Sequence, residues 1–304
     1  MGEQVWSAGN IVTYKVDSGV TYQEEVDSDA SCLTPKTFTP AKSGWVFAGW
    51  REDATAAGSV LASKVMEDEP ITLYAVFEQA VTLTYYNGSA APTTAARTRY
   101  YNNGNAANPT VTLTQAAISG WAARGWSTDA AGNAGVVYAS GVAFALDASL
   151  TLYALYYQTI TLTLVTPSGT TYPSGTRYYN SAGNIVNPTF APAVPALSGW
   201  TVRGWSTGTA GNAGVTYASG AAFALTTSIT LYALYYQTVT LTTVANGTTS
   251  ANSGTRYYNS SGDVINPTFT VPNPAKAGAT FAGWSADGSI TVANSSITGL
   301  TLDA

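Results

Sequence analysis

The stretch Ser198–Thr238, SGWTVRGWSTGTAGNAGVTYASGAAFALTTSITLYALYYQT, decides how this chain is organised, because Ser119–Thr159 repeats it almost letter for letter. A more divergent copy occupies Ser43–Ala80, and the beginning of a further copy starts at Ala277. Repetition at a fixed spacing is typical of proteins built from similar units in series. The sequence therefore predicts a tandem array.

The spacing of the copies sets the size of the repeat. Three equivalent leucines, Leu73, Leu152 and Leu231, follow one another at intervals of 79 residues. A unit of this size buries only about 60 to 65% of its unfolded surface, so we expect a small core in each repeat and contacts between neighbours. We divide the chain into a divergent, acidic repeat 1 (1–79), repeat 2 (80–158), repeat 3 (159–237) and a truncated or divergent repeat 4 (238–304).

The boundaries between repeats contain no flexible linker. Along Leu150–Leu164, LTLYALYYQTITLTL, apolar and polar residues alternate without a Gly or Pro, which is the pattern of a β-strand. Ile71–Tyr85 and Ile229–Leu241 show the same alternation. We expect one long strand, or two nearly collinear strands, to cross each boundary and stiffen the array. Four repeats in line, each roughly 30 Å across, predict a rod on the order of 100–120 Å, which small-angle scattering can measure.

Further patterns predict a mainly β protein. Ile11–Asp17 and Val20–Val26 flank Ser18-Gly19 and predict a β-hairpin. Helical periodicity is weak, and the best candidate for a short helical turn is Ala139–Leu146 with its copy Ala218–Leu225. We expect a tandem array of four small β-grasp-like or β-sandwich-like modules forming an elongated rod. Other strands are predicted near Val81–Tyr86, Arg97–Tyr101, Thr110–Thr114, Trp121–Trp126, Arg177–Tyr179 and Trp200–Trp205.

Tryptophans and leucines at equivalent positions are the candidate core residues. The predicted core anchors are Trp50, Trp126, Trp205, Trp284, Leu73, Leu152 and Leu231. A second set of tryptophans lies five positions earlier, which is the opposite parity in a regular strand. This second set, Trp45, Trp121 and Trp200, is predicted to reach a surface or a contact between repeats.

An arginine precedes each of three tyrosine pairs, Tyr100-Tyr101, Tyr178-Tyr179 and Tyr257-Tyr258. Adjacent strand residues face opposite ways, so one ring of each pair is expected in the core and the other at the surface. Two interpretations of the outer ring stay open. In the first interpretation the outer ring stacks on a sugar. These six tyrosines and the second set of tryptophans are then candidate glycan contacts. Alternatively it shields the sheet, with Arg99, Arg177 or Arg256 lying across it as a cation–π partner.

The charge distribution limits the range of partners. Charged residues make up 10% of the chain, against about 25% in typical globular proteins, and Thr, Ser, Asn, Gly and Tyr take their place. Residues 1–79 carry 12 acidic and 5 basic side chains, whereas 80–304 carry 5 and 7. The chain lacks the series of Lys and Arg residues that binds nucleic-acid phosphates, so no nucleic-acid binding is expected. Residues 1–79 are the candidate docking end for a protein partner, and a solvated acidic face is the alternative.

The residue types argue against catalysis. Histidine is absent, which removes the usual general base and histidine metal sites. Cys32, the single cysteine, has no candidate base and cannot form an intramolecular disulfide. The acidic clusters Glu24–Asp27 and Glu67–Glu69 are interpreted as turn and edge charges, with calcium binding as the alternative. The turn Ala131–Gly135 lacks the Lys and Ser/Thr of a phosphate-binding loop. We expect no catalytic residue, cofactor or metal, and no enzymatic activity.

Two anchors in fixed order carry a family resemblance. The element Gly44–Trp50, followed by Thr72–Phe77, resembles the Listeria–Bacteroides repeat, the internalin-B-type B-repeat. The resemblance implies a small β-grasp-like module used in tandem on bacterial surface proteins. The segments Gly175–Asn180 and Gly254–Asn259 also resemble arrays in phage and prophage proteins of gut Firmicutes. The chain departs from the family where Trp45, Trp121 and Trp200 replace a usual Tyr and where Tyr156-Tyr157 replaces a terminal Trp.

These observations favour a non-enzymatic structural or adhesive protein. The leading hypothesis is a phage virion appendage, a fibre or decoration protein synthesised in the host cytoplasm and able to engage the host surface. The alternatives are a bacterial cell-surface adhesin or stalk and a carbohydrate-binding module with weak glycan affinity. Met1–Asn10 shows no signal-peptide pattern, and no run of 18 apolar residues occurs, so neither secretion by a leader nor membrane insertion is expected.

Overall fold

The computed structural model describes residues 11–36, 38–89, 91–285 and 297–302. The segment 1–10, with its expected lack of a leader, and part of repeat 4 lie outside the described residues. Within those ranges the chain forms 21 β-strands and no helix, which confirms the predicted mainly β array. None of these residues forms a helix long and apolar enough to cross a membrane.

The described chain divides into two compact units. The first contains Met1–Gln158 and Tyr178–Val186, and the second contains Thr159–Arg177 and Asn187–Ala304. The first ten strands are β1 (Ile11–Asp17), β2 (Val20–Glu25), β3 (Val46–Arg51), β4 (Ile71–Tyr86), β5 (Thr93–Asn102), β6 (Asn105–Ala107), β7 (Thr110–Thr112), β8 (Ala122–Ser127), β9 (Ala143–Ala145) and β10 (Leu150–Thr166). They continue with β11 (Gly169–Thr171), β12 (Ser174–Asn180), β13 (Ile185–Val186), β14 (Thr189–Phe190), β15 (Thr201–Ser206), β16 (Phe223–Ala224), β17 (Ile229–Ala245), β18 (Thr248–Asn259), β19 (Val264–Ile265), β20 (Thr268–Val271) and β21 (Ile297–Thr301).

In the first unit, β4 is the central strand. Its beginning pairs in parallel with β1, and its last residues, Leu83–Tyr86, pair in parallel with Leu150–Tyr153 of β10. β3 and β5 run antiparallel to β4, and β8 runs antiparallel to β10. The predicted hairpin at Ser18-Gly19 is confirmed, because β1 and β2 pair antiparallel across it.

In the second unit, β17 has the equivalent place. Its beginning, Ile229–Tyr232, pairs in parallel with Leu162–Val165 of β10. β15 and β18 run antiparallel to β17, and β19 pairs with the end of β18. Each unit therefore repeats one scheme, in which a long strand has a parallel neighbour at its start and antiparallel neighbours farther along.

The predicted long strand across each repeat boundary is confirmed. β4, β10 and β17 contain 16, 17 and 17 residues, and each covers one boundary without a break. Side chains alternate between the two faces of a strand, so one side of a long strand can enter two cores in succession. One side of β10 contributes buried residues to two repeats in this way. Those residues are Leu152, Ala154 and Tyr156 before the boundary and Ile160, Leu162 and Leu164 after it.

Each of the first three repeats has its own hydrophobic core. The three clusters of buried residues lie within 12–77, 81–156 and 160–235. Trp50, Trp126 and Trp205 are at most 2% exposed, and Leu73, Leu152 and Leu231 are fully buried. The indole N–H of Trp126 donates to Leu113 O at 3.3 Å, and that of Trp205 donates to Pro192 O at 2.9 Å. Trp284 is half-buried, with its ring edge-on to Phe281 at 5.5 Å.

A β-bulge before each core tryptophan overturns the parity argument for the second set of tryptophans. The pairing of β3 with β4 shifts by one residue between Phe47 and Gly49. The extra residue restores the same parity to positions five apart, so Trp45 packs against the same core as Trp50. Only glycine fits the bulge in β8, since Gly125 has φ 126° and an added Cβ would lie 2.7 Å from Tyr138 O. Trp121 and Trp200 likewise pack against the cores of their own repeats.

The predicted helical turns are wrong. Within Ala139–Leu146 the chain turns and then forms β9, which pairs antiparallel with β7. Phe144 stacks on Tyr138 with ring centroids 4.2 Å apart, and in repeat 3 Phe223 stacks on Tyr217 at 3.8 Å. Pairing and stacking therefore override the weak helical spacing of the apolar residues.

Candidate functional site

The Arg-Tyr-Tyr-Asn segments lie on strands that join neighbouring repeats. β5 pairs antiparallel with β4 from Val76↔Asn102 to Tyr85↔Thr93. It therefore contacts the end of repeat 1 and the start of repeat 2. In the second unit β18 pairs with β17 in the same way, from Leu234↔Asn259 to Ala245↔Thr248. We call the site where the Arg-Tyr-Tyr-Asn segment of one repeat meets the preceding repeat the junction site.

The second tyrosine of each pair completes the core of the preceding repeat. Tyr101 packs against the core of repeat 1, and its ring centroid lies 5.7 Å from that of Trp45. The same contact recurs at 5.5 Å between Trp121 and Tyr179 and at 5.6 Å between Trp200 and Tyr258. The second set of tryptophans is therefore half-buried at contacts between repeats, as well as packed on its own core.

Arg99 and Arg256 do not cover the tyrosines of their own motif, so the cation–π expectation is wrong for these two residues. Arg99 lies over the ring of Trp45 at 4.9 Å, and Arg256 lies over Trp200 at 5.3 Å. An asparagine before a proline orients each guanidinium by accepting a hydrogen bond from Nε. The acceptors are Oδ1 of Asn108 for Arg99 at 3.0 Å, of Asn187 for Arg177 at 2.7 Å and of Asn266 for Arg256 at 2.7 Å.

The first tyrosine of each pair is also engaged. Arg124 of repeat 2 lies 4.7 Å over the ring of Tyr178, and Arg203 lies 4.7 Å over that of Tyr257. The ring of Tyr100 lies directly on Gly58, where an added Cβ would come within 2.5 Å of it. All six tyrosines are half-buried rather than divided into buried and exposed members. Their rings serve contacts between repeats.

The asparagine of the motif, which the sequence analysis did not single out, fixes a loop of the preceding repeat. Asn102, Asn180 and Asn259 are fully buried. Nδ2 of Asn180 donates to Asp129 O at 3.1 Å and to Ala131 O at 3.4 Å. Asn102 makes the equivalent bonds to Asp53 O and Thr55 O, and Asn259 to Gly208 O and Ala210 O. Its only sequence signal is its presence in all three copies of Arg-Tyr-Tyr-Asn.

Loop length distinguishes the first junction site from the others. Oδ1 of Asn180 accepts from Ala182 N at 2.8 Å, and Oδ1 of Asn259 accepts from Ser261 N at 2.9 Å. Oδ1 of Asn102 is buried without a protein partner. The turn that follows it is one residue shorter than in the later repeats, and the N–H two residues on, that of Gly104, donates instead to the Tyr101 hydroxyl at 3.1 Å.

A polar cluster reinforces the first junction site. Lys42 Nζ lies 3.0 Å from Asp17 Oδ2 and 3.7 Å above the centroid of Tyr101. The Tyr101 hydroxyl donates to Asp17 Oδ1. The Tyr101 hydrogen bond and the Lys42 ammonium lower the pKa of the Asp17 carboxyl. This cluster connects repeat 1 to the Arg-Tyr-Tyr-Asn segment of repeat 2.

The other chemistry-bearing groups of repeat 1 have structural contacts. Cys32 is fully buried with Sγ 4.0 Å from Met66 Sδ, and burial raises the pKa of its thiol. Glu24 Oε1 accepts from the Tyr14 hydroxyl at 3.1 Å, and Glu67 pairs with Lys64 at 2.9 Å. Across the described part of the chain, no group of three or more Cys, Asp or Glu residues is arranged to hold a metal ion.

Comparison with known proteins adds one family. A sequence model of the Listeria-Bacteroides repeat domain matches residues 11–76, 162–234 and 238–303, which together form more than half of the chain. The matched ranges omit all of repeat 2, although Ser119–Thr159 is nearly identical to Ser198–Thr238. No curated protein and no solved structure matches the chain.

Proposed function

We propose, from the premise that the chain belongs to the Listeria–Bacteroides repeat family, that it is a non-enzymatic protein displayed at a surface. Repeats of this family occur in structural or surface-associated proteins. We further propose that this protein is carried on a phage particle, as a fibre or decoration protein that engages the host surface.

The junction site carries the structural part of this proposal. A hinge between repeats needs a segment with few contacts, whereas β4 crosses the first boundary as a continuous strand and β5 pairs with it on both sides. Bending there would break ladder hydrogen bonds and separate Tyr101 from the core of repeat 1. Such a connection suits a protein whose task is to hold its modules at a fixed spacing.

Three features support placement on a particle. The segment Gly175–Asn180, Gly-Thr-Arg-Tyr-Tyr-Asn, resembles arrays in phage and prophage proteins. The hydroxyl-rich surface carries few charges, and many identical weak contacts on one particle add up to strong attachment. The acidic repeat 1 differs in charge from the rest and is the proposed docking end.

Location is the first test. Antibodies against the chain are applied to intact cells of the producing bacterium and to phage particles purified after prophage induction. Labelled particles support the virion placement. Labelled cells with unlabelled particles support instead the bacterial stalk or adhesin, the second candidate, which the family's surface use favours.

Docking by repeat 1 has a separate test that leaves the fold intact. Glu25, Asp27, Asp68 and Glu69 are exposed. Their combined change to Gln or Asn removes four negative charges without touching the described packing. Incorporation into particles is expected to fall several-fold, whereas Asp129→Asn and Asp147→Asn in repeat 2 serve as controls. Unchanged incorporation of the fourfold variant would contradict docking through this face.

A further inference from the structure

Three equivalent tyrosines on the long strands have different neighbours. Tyr74, Tyr153 and Tyr232 occupy the same position in repeats 1, 2 and 3. In the parallel ladders each lies directly opposite one residue of the neighbouring strand. The opposite residues are Lys15 for Tyr74, Tyr86 for Tyr153 and Val165 for Tyr232.

A cation or a second ring covers the first two tyrosines, whereas the third, Tyr232, is half-buried and borders an open groove. Lys15 Nζ lies 5.5 Å over the ring of Tyr74, and Tyr86 stacks on Tyr153 with centroids 4.9 Å apart and planes 18° apart. Val165 is too short to cover Tyr232. Among the residues that the structure describes, no ring or cation lies over Tyr232.

A groove of about 730 Å³ occupies the space beside this open ring. We call it the Tyr232 groove; it is lined by Val165, Thr209, Ala210, Tyr232, Ser260, Ser261 and Asp263. Its volume lies within the usual range for small-ligand sites, roughly 300–1,000 Å³. The corresponding place in repeat 2 holds the ring of Tyr86.

The two serine hydroxyls of the groove donate within the protein, whereas Asp263 acts as an acceptor. The hydroxyl of Ser260 donates to Val165 O and that of Ser261 donates to Thr209 O, both at 2.6 Å. Asp263 accepts from Gly211 N through Oδ2 at 2.6 Å, and its other oxygen is left for a ligand. In repeat 3 the residue equivalent to Asp263 is Asn184, whose amide donates to Ala130 O of repeat 2 at 2.7 Å.

We propose that the Tyr232 groove binds a pyranose sugar ring. The apolar face of such a ring stacks on Tyr232, and its hydroxyl groups donate to Asp263 and to the lone pairs of Ser261. The lining contains no Lys or Arg, which disfavours phosphates and other anions. A single open ring beside hydroxyl groups suits a sugar better than a quaternary ammonium ion, which needs several aromatic walls. This inference does not depend on whether the surface is a virion or a cell.

The test uses the full chain and a filling substitution. The protein is applied to an array of glucose, galactose, mannose and N-acetylglucosamine oligosaccharides, and the strongest binder is titrated by calorimetry. Val165→Tyr places at the groove the residue that covers Tyr153 in repeat 2, so the fold has a precedent for it. This variant and Tyr232→Ala are each expected to weaken binding more than tenfold. Tyr153→Ala, at a ring that is already covered, is the matched control and is expected to bind as the wild type does.

Asp263→Asn provides a second variant that preserves shape. It introduces the residue found at the equivalent position 184 of repeat 3 and is expected to lower affinity at least threefold at an unchanged melting temperature. An array without any binder would overturn the proposal. Undiminished binding by Val165→Tyr would do so as well.

Discussion

The side-chain amide of Asn180 donates a 3.1 Å hydrogen bond to the backbone carbonyl of Asp129, which lies 51 residues earlier in the preceding repeat. Asn180 follows Tyr179, whose ring packs against the core of repeat 2. A short segment of repeat 3 thus closes a loop and supplies a side chain of the core of repeat 2. Neighbouring repeats share their folded structure rather than touching at finished surfaces.

Asn180→Ala is expected to destabilise the protein by about 2 kcal/mol, because it leaves the carbonyls of Asp129 and Ala131 without their donor. Urea denaturation measures the change. Asn184→Ala is the matched control, since it removes an exposed hydrogen bond to Ala130 O and is expected to cost less than about 1 kcal/mol. Equal losses in the two variants would show that burial of Asn180 does not matter.

The two tryptophans of repeat 2 are expected to differ in their contribution to stability. Trp126 is fully buried and donates to Leu113 O, so Trp126→Ala is expected to cost about 4 kcal/mol. Trp121 is half-buried, and Trp121→Ala is expected to cost roughly half as much. Thermal and urea denaturation of both variants provide the comparison. A greater loss from Trp121→Ala would contradict the assignment of Trp126 as the core anchor.

One glycine inserted between Gln79 and Ala80 is expected to disrupt repeat 2. A one-residue shift in a strand moves every following side chain to the opposite face. Val81 and Leu83, now 3% and 2% exposed, would leave the core, at a cost of at least about 3 kcal/mol. Amide hydrogen exchange in β8 and β10 reports the loss of protection.

The control insertion lies in an exposed loop of the same unit, between Ala62 and Ser63. Surface loops tolerate added residues, so protection in β8 and β10 is expected to stay unchanged. If both insertions left these strands protected, the boundary would behave as a linker and not as a continuous strand.

Tyr235 is expected to make stability fall at high pH. Burial raises the pKa of Tyr235 to about 12, whereas an unfolded tyrosine has a pKa of about 10. Between these values the unfolded chain loses this proton and the folded chain keeps it, so stability decreases as pH rises through the window. Tyr235→Phe is expected to make that decrease shallower. At neutral pH it is expected to cost about 1 kcal/mol by removing the hydrogen bond to Pro195 O.

Melting temperatures measured from pH 8 to pH 12 test this expectation. Tyr157, which is 39% exposed, supplies the control substitution Tyr157→Phe, and its profile is expected to follow the wild type. A Tyr235→Phe profile as steep as the wild type would show that other groups cause the alkaline loss.

Features with a local cause were predictable from the sequence. The alternation in Leu150–Leu164 identified a strand that crosses a repeat boundary, because side-chain direction along a strand depends only on position. The hairpin at Ser18-Gly19 followed from turn chemistry in the same way. Both signals are complete within about 15 residues, so no distant partner has to be known.

Features that depend on tertiary placement were not predictable. Nothing in the types of Asp129 or Gly208 marks them as partners of Asn180 and Asn259, because the asparagines contact backbone carbonyls that every residue has. The bulge at Gly125 adds one residue to a run that looks regular, so counting positions assigned Trp121 to the wrong side. The covering of Tyr178 by Arg124 depends on a register between repeats that only the folded sheet defines.

The shared structure at the junction site also sets an order of events during synthesis. A ribosome delivers the chain from its amino terminus, and repeat 2 lacks Tyr179 and Asn180 until part of repeat 3 has been made. Each early repeat therefore stays unfinished until its successor arrives, and folding trails translation by a constant interval. We expect chaperones and proteases to encounter one incomplete module at a time, the most recently made, while the modules before it are already closed.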